Sequence, residues 1–447
     1  MTYTPHTEAD RAQMLGVIGV GSVDDLYADI PEAVRAEDWQ IPAPWSEQEV
    51  RAELDRLAGR NRIPEISFLG AGVYRHLVPA VVGEVIGRPE FATAYTPYQP
   101  EVSQGTLQSI FEFQSLICEL TGMEVASASH YDGATATAEA ALMACRLTRR
   151  NRVAVSAAVN PDYRRVLATY CSGPGIEVVT VPVDLASGAA GTTDPDRVAE
   201  ALGDDVACLV AAQPNYYGGL EPMRELADAA HAAGAQFVAV VEPTSLALLE
   251  PPGAYGADIV TAEGQPLGIP ASFGGPYVGL MAARMASVRQ MPGRLVGATR
   301  DASGRKGYVL TLQAREQHIR REKAASNICT NQALMALAAT AYLSAVGPEG
   351  LREVAELSMT QARHLVAALE DAGLASRRFG GSYFAEVAMD LPDAGRRHAA
   401  LAEQGIVAGR LLAHDEPSLT DTVLLATTEL TTDDHIARLV DALGATR

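Results

Sequence analysis

The stretch ADIVTAEGQPLGIPASFGGPYVG, residues 257–279, indicates the fold class of this chain. Asp258-Ile259-Val260 predicts a short buried strand, which leads into a turn rich in glycine and proline. A second turn, Gly274-Gly275-Pro276, runs into YVGLM (277–281), which predicts a returning strand. A strand, a long loop and a second strand therefore follow one another in the late middle of a chain of 447 residues.

Short apolar runs recur on the N-terminal side of this stretch. Segments with helical spacing separate these runs, which lie at 152–158, 176–183, 206–212 and 236–243. Such alternation predicts an α/β fold with a mostly parallel sheet, covered by helices on both faces and connected by right-handed crossovers.

We expect three parts along the chain. Residues 1–65 predict a helical arm, because Ser46-x-x-Glu49 resembles a capping box ahead of apolar residues at helical spacing. Residues 66–346 predict a large α/β domain, and residues 347–447 predict a small C-terminal α+β domain in which strands and helices mix.

The composition limits the classes of partner. A formal net charge of −20 argues against binding to nucleic acid or to an anionic membrane surface. The five cysteines show no metal-ligand spacing, so we expect reduced, buried thiols and no metal site. A polar N-terminus and the lack of a run of about 18 apolar residues predict a cytoplasmic protein without a membrane span.

The stretch at 257–279 resembles the cofactor-lysine loop of the fold-type-I pyridoxal-phosphate (PLP) enzymes. In that class, Asp and two apolar residues are followed a few residues later by His-Lys. This chain has Gln265-Pro266 at the matching positions. A covalent link to PLP requires a primary amine, which proline lacks. The resemblance therefore implies a PLP-transferase fold that cannot hold PLP covalently at its own site.

Two other positions are weak candidates for contact with a cofactor. Thr135 lies in DGATA (132–136) at the start of a predicted helix, where free N–H groups favour an anion such as phosphate. The alternative is an ordinary N-cap in a tight turn. Glu242 ends a buried strand, where fold-type-I enzymes carry an Asp that pairs with the pyridinium nitrogen; the alternative is a solvated acid at a strand end.

A tyrosine-rich, proline-stiffened segment carries the best candidates for a functional loop. We call residues 95–104 the tyrosine loop, and loops of this kind often bind ligands or partners. Its candidate catalytic residues, which offer hydroxyl and amide groups, are Tyr95, Tyr98, Gln99 and Gln104. The alternative for any one tyrosine is a packed ring with a hydrogen-bonded hydroxyl at the surface.

A charged segment, REQHIRREKAASNICTNQ (315–332), carries candidates for substrate binding. Arg315 and Lys323 could neutralise a substrate carboxylate or a phosphate. The alternative is a charged helix face in which neighbouring glutamates pair with these cations.

Three long motifs together resemble one family: AYTPYQPEVSQG, EGQPLGIPASFGGPY and REQHIRREKAASNICTNQA. They are similar to the N-terminal half of glycine decarboxylase, the P-protein of the glycine cleavage system. The similarity extends along nearly the whole chain, whose length corresponds to the first of the two subunits in split P-proteins.

The resemblance implies a set of functions and partners. It implies PLP-dependent decarboxylation of glycine, with transfer of the aminomethyl group to the lipoyl arm of H-protein. It implies that PLP is held by P-protein subunit 2, and that the T-protein and L-protein belong to the same system. The tyrosine loop, together with Arg315 and Lys323, would then complete the site of the partner subunit.

Two other functions stay open at this point. A self-sufficient PLP enzyme would have to use Lys306 or Lys323, the two lysines of the chain, and both lie well past the expected loop. A non-catalytic regulatory homologue would keep the PLP-transferase fold without the reaction, since a fold does not determine a function.

Overall fold

The computed structural model describes residues 5–36, 41–328 and 330–446. The chain divides into two compact units, residues 1–62 and residues 63–447. Of the cysteines predicted to be buried, Cys145, Cys171 and Cys208 are buried and Cys118 is partly buried. Cys329 lies outside the described residues.

The first unit contains two α-helices in its described part, α1 (Glu8–Ile18) and α2 (Glu47–Ala58). The capping box predicted at the start of α2 is formed: the Ser46 hydroxyl accepts from the Glu49 N–H, and the Glu49 carboxylate accepts from the Ser46 N–H at 2.7 Å. Such reciprocal bonds satisfy two of the free N–H groups at a helix start. The capping signal in the sequence therefore marks the first turn of α2.

The second unit combines strands and helices along its whole length. The strands of its described part are β1 (Ile66–Ser67), β2 (Val125–Ala126), β3 (Arg152–Ser156), β4 (Glu177–Val181), β5 (Val206–Gln213), β6 (Gln236–Val241), β7 (Ile259–Glu263), β8 (Gly279–Ala283), β9 (Leu295–Arg300), β10 (Lys306–Thr311), β11 (Ser376–Arg377), β12 (Glu386–Asp390), β13 (Ile406–Val407), β14 (Arg410–Leu411) and β15 (Thr422–Ala426). The helices are α3 (Ala80–Ile86), α4 (Pro89–Ala92), α5 (Gln104–Thr121), α6 (Gly133–Thr148), α7 (Pro161–Ser172), α8 (Pro195–Ala201), α9 (Met223–Ala232), α10 (Gln317–Arg320), α11 (Ala333–Asp371), α12 (Ala394–Glu403) and α13 (Asp433–Ala445).

A seven-stranded sheet in the order β2-β8-β7-β6-β5-β3-β4 forms the centre of this unit. Strands β4, β3, β5, β6 and β7 are parallel, and β8 returns antiparallel to β7. Successive residues of β6 alternate between two cores, with Phe237 and Ala239 in one and Val238 and Val240 in the other. Because successive side chains of a strand point to opposite faces, both faces of the sheet are covered. The predicted α/β class with a mostly parallel sheet is confirmed.

A smaller antiparallel sheet, β11-β12-β15-β14, lies toward the C-terminus and packs with α11, α12 and α13. The short strand β1 pairs in parallel with β13, so that Ile66 and Phe68 join the core of this smaller sheet. The residues that begin the predicted large domain thus pack with the C-terminal part of the chain.

Helix α11 connects the two sheets and breaks at Gly347, whose φ of 63° and ψ of −177° are not helical. Leu351 follows the break yet still packs in the core of the central sheet, whereas Leu365 and Leu369 pack in the core of the smaller sheet. By length and composition α11 meets the criterion for a membrane span, but most of its buried residues belong to these two cores.

Strands β9 and β10 form an antiparallel hairpin just before the charged segment at 315–332. Downstream of it, residues 313–323 form short helical turns. A continuous charged helix, the alternative considered for the segment around Arg315, is therefore not formed.

Candidate active site

A cleft of about 820 Å³ lies where the parallel strands of the central sheet end. Val241 and Glu242 at the end of β6 form part of its floor, together with Glu263 at the end of β7, and Glu386 of the smaller sheet forms part of the opposite wall. Ligands of α/β sheets bind at this edge. The cleft therefore occupies the place where the sequence predicted a cofactor site.

Helix α6 begins beside the cleft, but its first N–H groups are already hydrogen-bonded to carboxylates of the chain. The Gly133 N–H donates to Glu263 Oε2 at 2.9 Å, and the Thr135 N–H donates to Asp132 Oδ1 at 2.8 Å. The other oxygen of Glu263 accepts from the Gln265 N–H at 2.9 Å. Side chains of the chain itself thus occupy the predicted anion site at Thr135. This arrangement matches the alternative considered above, an ordinary N-cap.

The space in front of α6 is also filled. A Cβ atom at position 133 would lie 2.1 Å from the Tyr163 hydroxyl and 2.7 Å from the Glu263 backbone nitrogen. Real Cβ atoms do not approach other heavy atoms so closely, so glycine is required here. A phosphate group brought to this helix end would meet the Tyr163 hydroxyl and the carboxylate of Glu263.

Glu242 and Pro266, the positions that the resemblance matched with the Asp and Lys of PLP enzymes, both line the cleft. The Glu242 carboxylate accepts from the Thr244 and Ser245 N–H groups at 3.0 and 2.7 Å and caps the 3₁₀ turn that follows. Pro266 lines the cleft, and the neighbouring Gln265 amide is buried and bonded to the backbone of Tyr74.

The cleft is acidic. Burial raises the pKa of Glu263 to about 8 and that of Glu386 to about 7. Glu386 accepts from the Tyr74 hydroxyl and the Ala71 N–H, both at 2.6 Å. None of the described residues that line the cleft is Arg or Lys. With its helix end occupied, no lysine and an acidic lining, this cleft does not fit PLP.

A second cavity, also of about 820 Å³, lies under the tyrosine loop. Tyr95 and Pro97 of the loop line it together with Ile110 of α5, Arg294 and Leu337 of α11. Tyr95 is 79% exposed and Pro97 is buried. The buried Pro97 therefore anchors the loop to the rest of the protein, while the Tyr95 side chain stays accessible to another molecule.

The structure separates the other candidates of the loop by their contacts. The Gln104 side chain accepts from the Tyr308 N–H and donates to the Tyr308 carbonyl, both at 2.9 Å, which ties the end of the loop to β10. Gln99 is exposed. The Tyr98 ring lies 5.6 Å from the Arg294 guanidinium carbon, and its hydroxyl accepts from Arg294 Nη2 at 3.3 Å.

The two substrate-binding candidates differ in the same way. Arg315 donates to the backbone carbonyls of Met291, Gly293 and Leu312, so its guanidinium holds a turn of the chain. Lys323 is exposed in the last of the short helical turns. Sequence reasoning missed Arg294, because it lies in MPGRLVG (291–297), outside the motifs that were selected.

The fold and the position of the cleft define a protein of the fold-type-I PLP-enzyme class. The structure is similar to that of glutamate decarboxylase of Lactobacillus brevis, with a TM-score of 0.69 over 94% of this chain and 96% of that chain. The two sequences are 13% identical, so this likeness concerns the fold alone.

Closer relatives identify the family. The family model described as glycine cleavage system P-protein matches residues 1–443. A crystal structure of glycine decarboxylase (P-protein) of the glycine cleavage system, in inhibitor-bound form, is similar with a TM-score of 0.92 and 46% identity over the whole of both chains. The probable glycine dehydrogenase (decarboxylating) subunit 1 of Moorella thermoacetica is 51% identical over 447 residues, covering 99% of each chain. This chain therefore belongs to the P-protein family of the glycine cleavage system.

Proposed function

We propose that this chain is the subunit of a split glycine decarboxylase that completes a PLP site held by a second P-protein subunit. The naming of the relative from Moorella thermoacetica as subunit 1 supports the existence of a second subunit. The observation that carries the proposal is a contrast: the chain's own cleft does not fit PLP, whereas the tyrosine loop presents Tyr95 to its surroundings.

In this proposal the tyrosine loop positions glycine in the site of the partner. Glycine offers few groups to hold, so positioning to within about 1 Å has to come from side chains on a stiff support. Gln104 fixes the end of the loop to β10 through the oxygen and the nitrogen of its side-chain amide. Within the loop, Pro97 is buried. Tyr95, Tyr98 and Gln99 are then the groups that face the substrate.

The remaining partners follow from the proposed reaction. Glycine is the substrate, and the lipoyl arm of H-protein receives the aminomethyl group. The T-protein and L-protein act in the same system, which we place in the cytoplasm. The net charge of −20 favours proteins with a basic patch as partners over nucleic acid or an anionic membrane.

The test removes single hydroxyl groups in the assembled complex. Tyr95→Phe and Tyr98→Phe keep the rings, and we expect at least one of them to lower the rate of glycine decarboxylation by ~10-fold or more, the scale of losing one positioned polar group. Tyr383→Phe, in the connection between β11 and β12 and outside the tyrosine loop, is the matched control and should keep the parent rate. Co-purification and PLP content should not change, and parent rates in both loop variants would contradict the proposal.

A non-catalytic regulatory subunit is the second candidate, because a cleft that does not fit PLP also suits a homologue without a role in the reaction. The two functions differ in one measurement. A partner subunit that decarboxylates glycine at the full rate without this chain would establish the regulatory role, whereas dependence on this chain supports completion of the site.

A further inference from the structure

We propose that Arg294 is a positioning residue that holds the Tyr98 hydroxyl in its working orientation. This inference rests on the proposed function, because it assigns a support to one of the tyrosines that face the substrate. Arg294 belongs to none of the motifs that the sequence analysis selected. It is only 7% exposed, and Met291 and Leu295 on either side of it are also buried.

The Arg294 guanidinium contacts two groups in different directions. Its Nη2 donates to the Tyr98 hydroxyl at 3.3 Å, and its carbon lies 5.6 Å from the centre of the Tyr98 ring. Its Nε lies 3.5 Å from Glu316 Oε2. A planar guanidinium with several fixed donors can serve an acid and a phenol at once, which the point charge of a lysine cannot.

The neighbours of Arg294 restrict its movement. Glu316 is 8% exposed, so the ion pair with Arg294 is buried and is not a mobile surface contact. Arg315 donates to the Met291 and Gly293 carbonyls of the turn just before Arg294. His318 completes the support, because its ring packs edge-on against Tyr98 with 5.5 Å between the ring centres. Residues 315–318 thus fix Arg294 and Tyr98 together.

A purely structural role makes a different prediction from a positioning role. If Arg294 served only to neutralise the buried Glu316, any cation that reaches Glu316 would replace it. If Arg294 also orients Tyr98, loss of the forked donor would impair the reaction even where the charge is kept. Arg294→Lys separates the two cases, because lysine keeps the charge and lacks the planar set of N–H donors of the guanidinium.

The experiment uses this chain assembled with its partner subunit and compares Arg294→Lys, Tyr98→Phe and the double variant. We expect R294K to lower kcat for glycine decarboxylation about 10-fold, with KM for glycine changed less than about 3-fold and the melting temperature near that of the parent. In the Y98F background, R294K should lower kcat by no more than about 2-fold, because the hydroxyl that it orients is gone. Arg300→Lys, an exposed residue at the far end of β9, is the matched control and should keep the parent kcat.

The outcomes separate this inference from the proposed function. If the effects of R294K and Y98F on kcat multiply in the double variant, the inference alone is overturned. The same holds if R294K keeps the parent kcat. A parent kcat in Y98F with a lowered one in Y95F would also overturn it while leaving the proposed function standing. Parent rates in both tyrosine variants would overturn both. Where R294K fails to assemble, the pair R294Q/E316Q removes both buried charges and provides the same comparison with Y98F.

Discussion

Replacing Pro266 with lysine should not give this chain a PLP site of its own. Lysine at 266 would restore the amine that the resemblance to PLP enzymes requires, and Pro266 already lines the cleft. The phosphate group of the cofactor would still need the start of α6. There the Gly133 N–H is bonded to Glu263, the Thr135 N–H is bonded to Asp132, and the Tyr163 hydroxyl fills the space in front.

The contacts at the start of α6 give the size of the effect. The bond from the Thr135 N–H to the Asp132 carboxylate contributes about 1.5–3 kcal/mol, because one partner is charged. Burial raises the pKa of Glu263 to about 8, so near pH 7 the bond from the Gly133 N–H to its carboxyl group is closer to a neutral one of about 0.5–1.5 kcal/mol. A phosphate that displaces both side chains loses these two bonds, a cost of about 2–4.5 kcal/mol. Since 1.4 kcal/mol is a factor of ten in affinity, PLP should bind P266K about 10- to 10³-fold more weakly than a site with a free helix start.

The assay combines visible absorbance with borohydride reduction and mass spectrometry of the purified chain. P266K should show neither the absorbance of lysine-bound PLP nor stoichiometric labelling at position 266. The double variant P266K/E263A frees the Gly133 N–H and should label more than P266K. Stoichiometric labelling of P266K alone would refute the reasoning from the helix start, and stoichiometric labelling of Lys306 or Lys323 in the parent chain would refute the assignment of the cofactor to the partner.

The remaining predictions concern stability. Gly133→Ala should lower the free energy of unfolding, measured in urea, by about 1–3 kcal/mol or more, because the added Cβ would lie 2.1 Å from the Tyr163 hydroxyl. Gly105→Ala is the control, because no atom lies within 4 Å of its added Cβ. It should raise the free energy of unfolding by no more than about 1 kcal/mol. Burial raises the pKa of Glu386 from 4.5 to about 7, so the folded state holds a proton that the unfolded state has lost, and the free energy of unfolding should fall as pH rises through that window. Glu386→Gln should make that fall shallower by up to about 1.4 kcal/mol per pH unit. Glu356→Gln, on the exposed side of α11, is the control and should leave the slope unchanged. A slope unaffected by E386Q would contradict the assignment of this pH dependence to Glu386.

The central sheet could be predicted from the sequence because its signals are local. The runs at 206–212 and 236–243 are apolar at nearly every position, as strands buried on both faces require, and they became β5 and β6. The end of α5 was also predictable, since Gly122 takes the left-handed conformation that closes a helix. Such signals depend on a few neighbouring residues, which is why they survive without knowledge of the tertiary structure.

The chemistry of the candidate site was less predictable because it depends on distant contacts. The bond that occupies the start of α6 joins Gly133 to Glu263, and the bond that we propose orients the Tyr98 hydroxyl joins it to Arg294. Neither pair has a spacing that a sequence pattern records. Arg315 shows the same dependence on tertiary contacts: a cation in a polar segment suggested a ligand, and in the structure its guanidinium donates to backbone carbonyls of its own chain.

The cleft and the tyrosine loop are related through one physical requirement. A helix that starts beside a cleft leaves N–H groups without partners, and in PLP enzymes the phosphate satisfies such groups. Here Glu263 and Asp132 satisfy them instead, so the fold is complete without a ligand in the cleft. We propose that the tyrosine loop serves another purpose in the assembled complex. The exposed Tyr95, together with the buried support of Tyr98 by Arg294, is consistent with that purpose being the site of a partner.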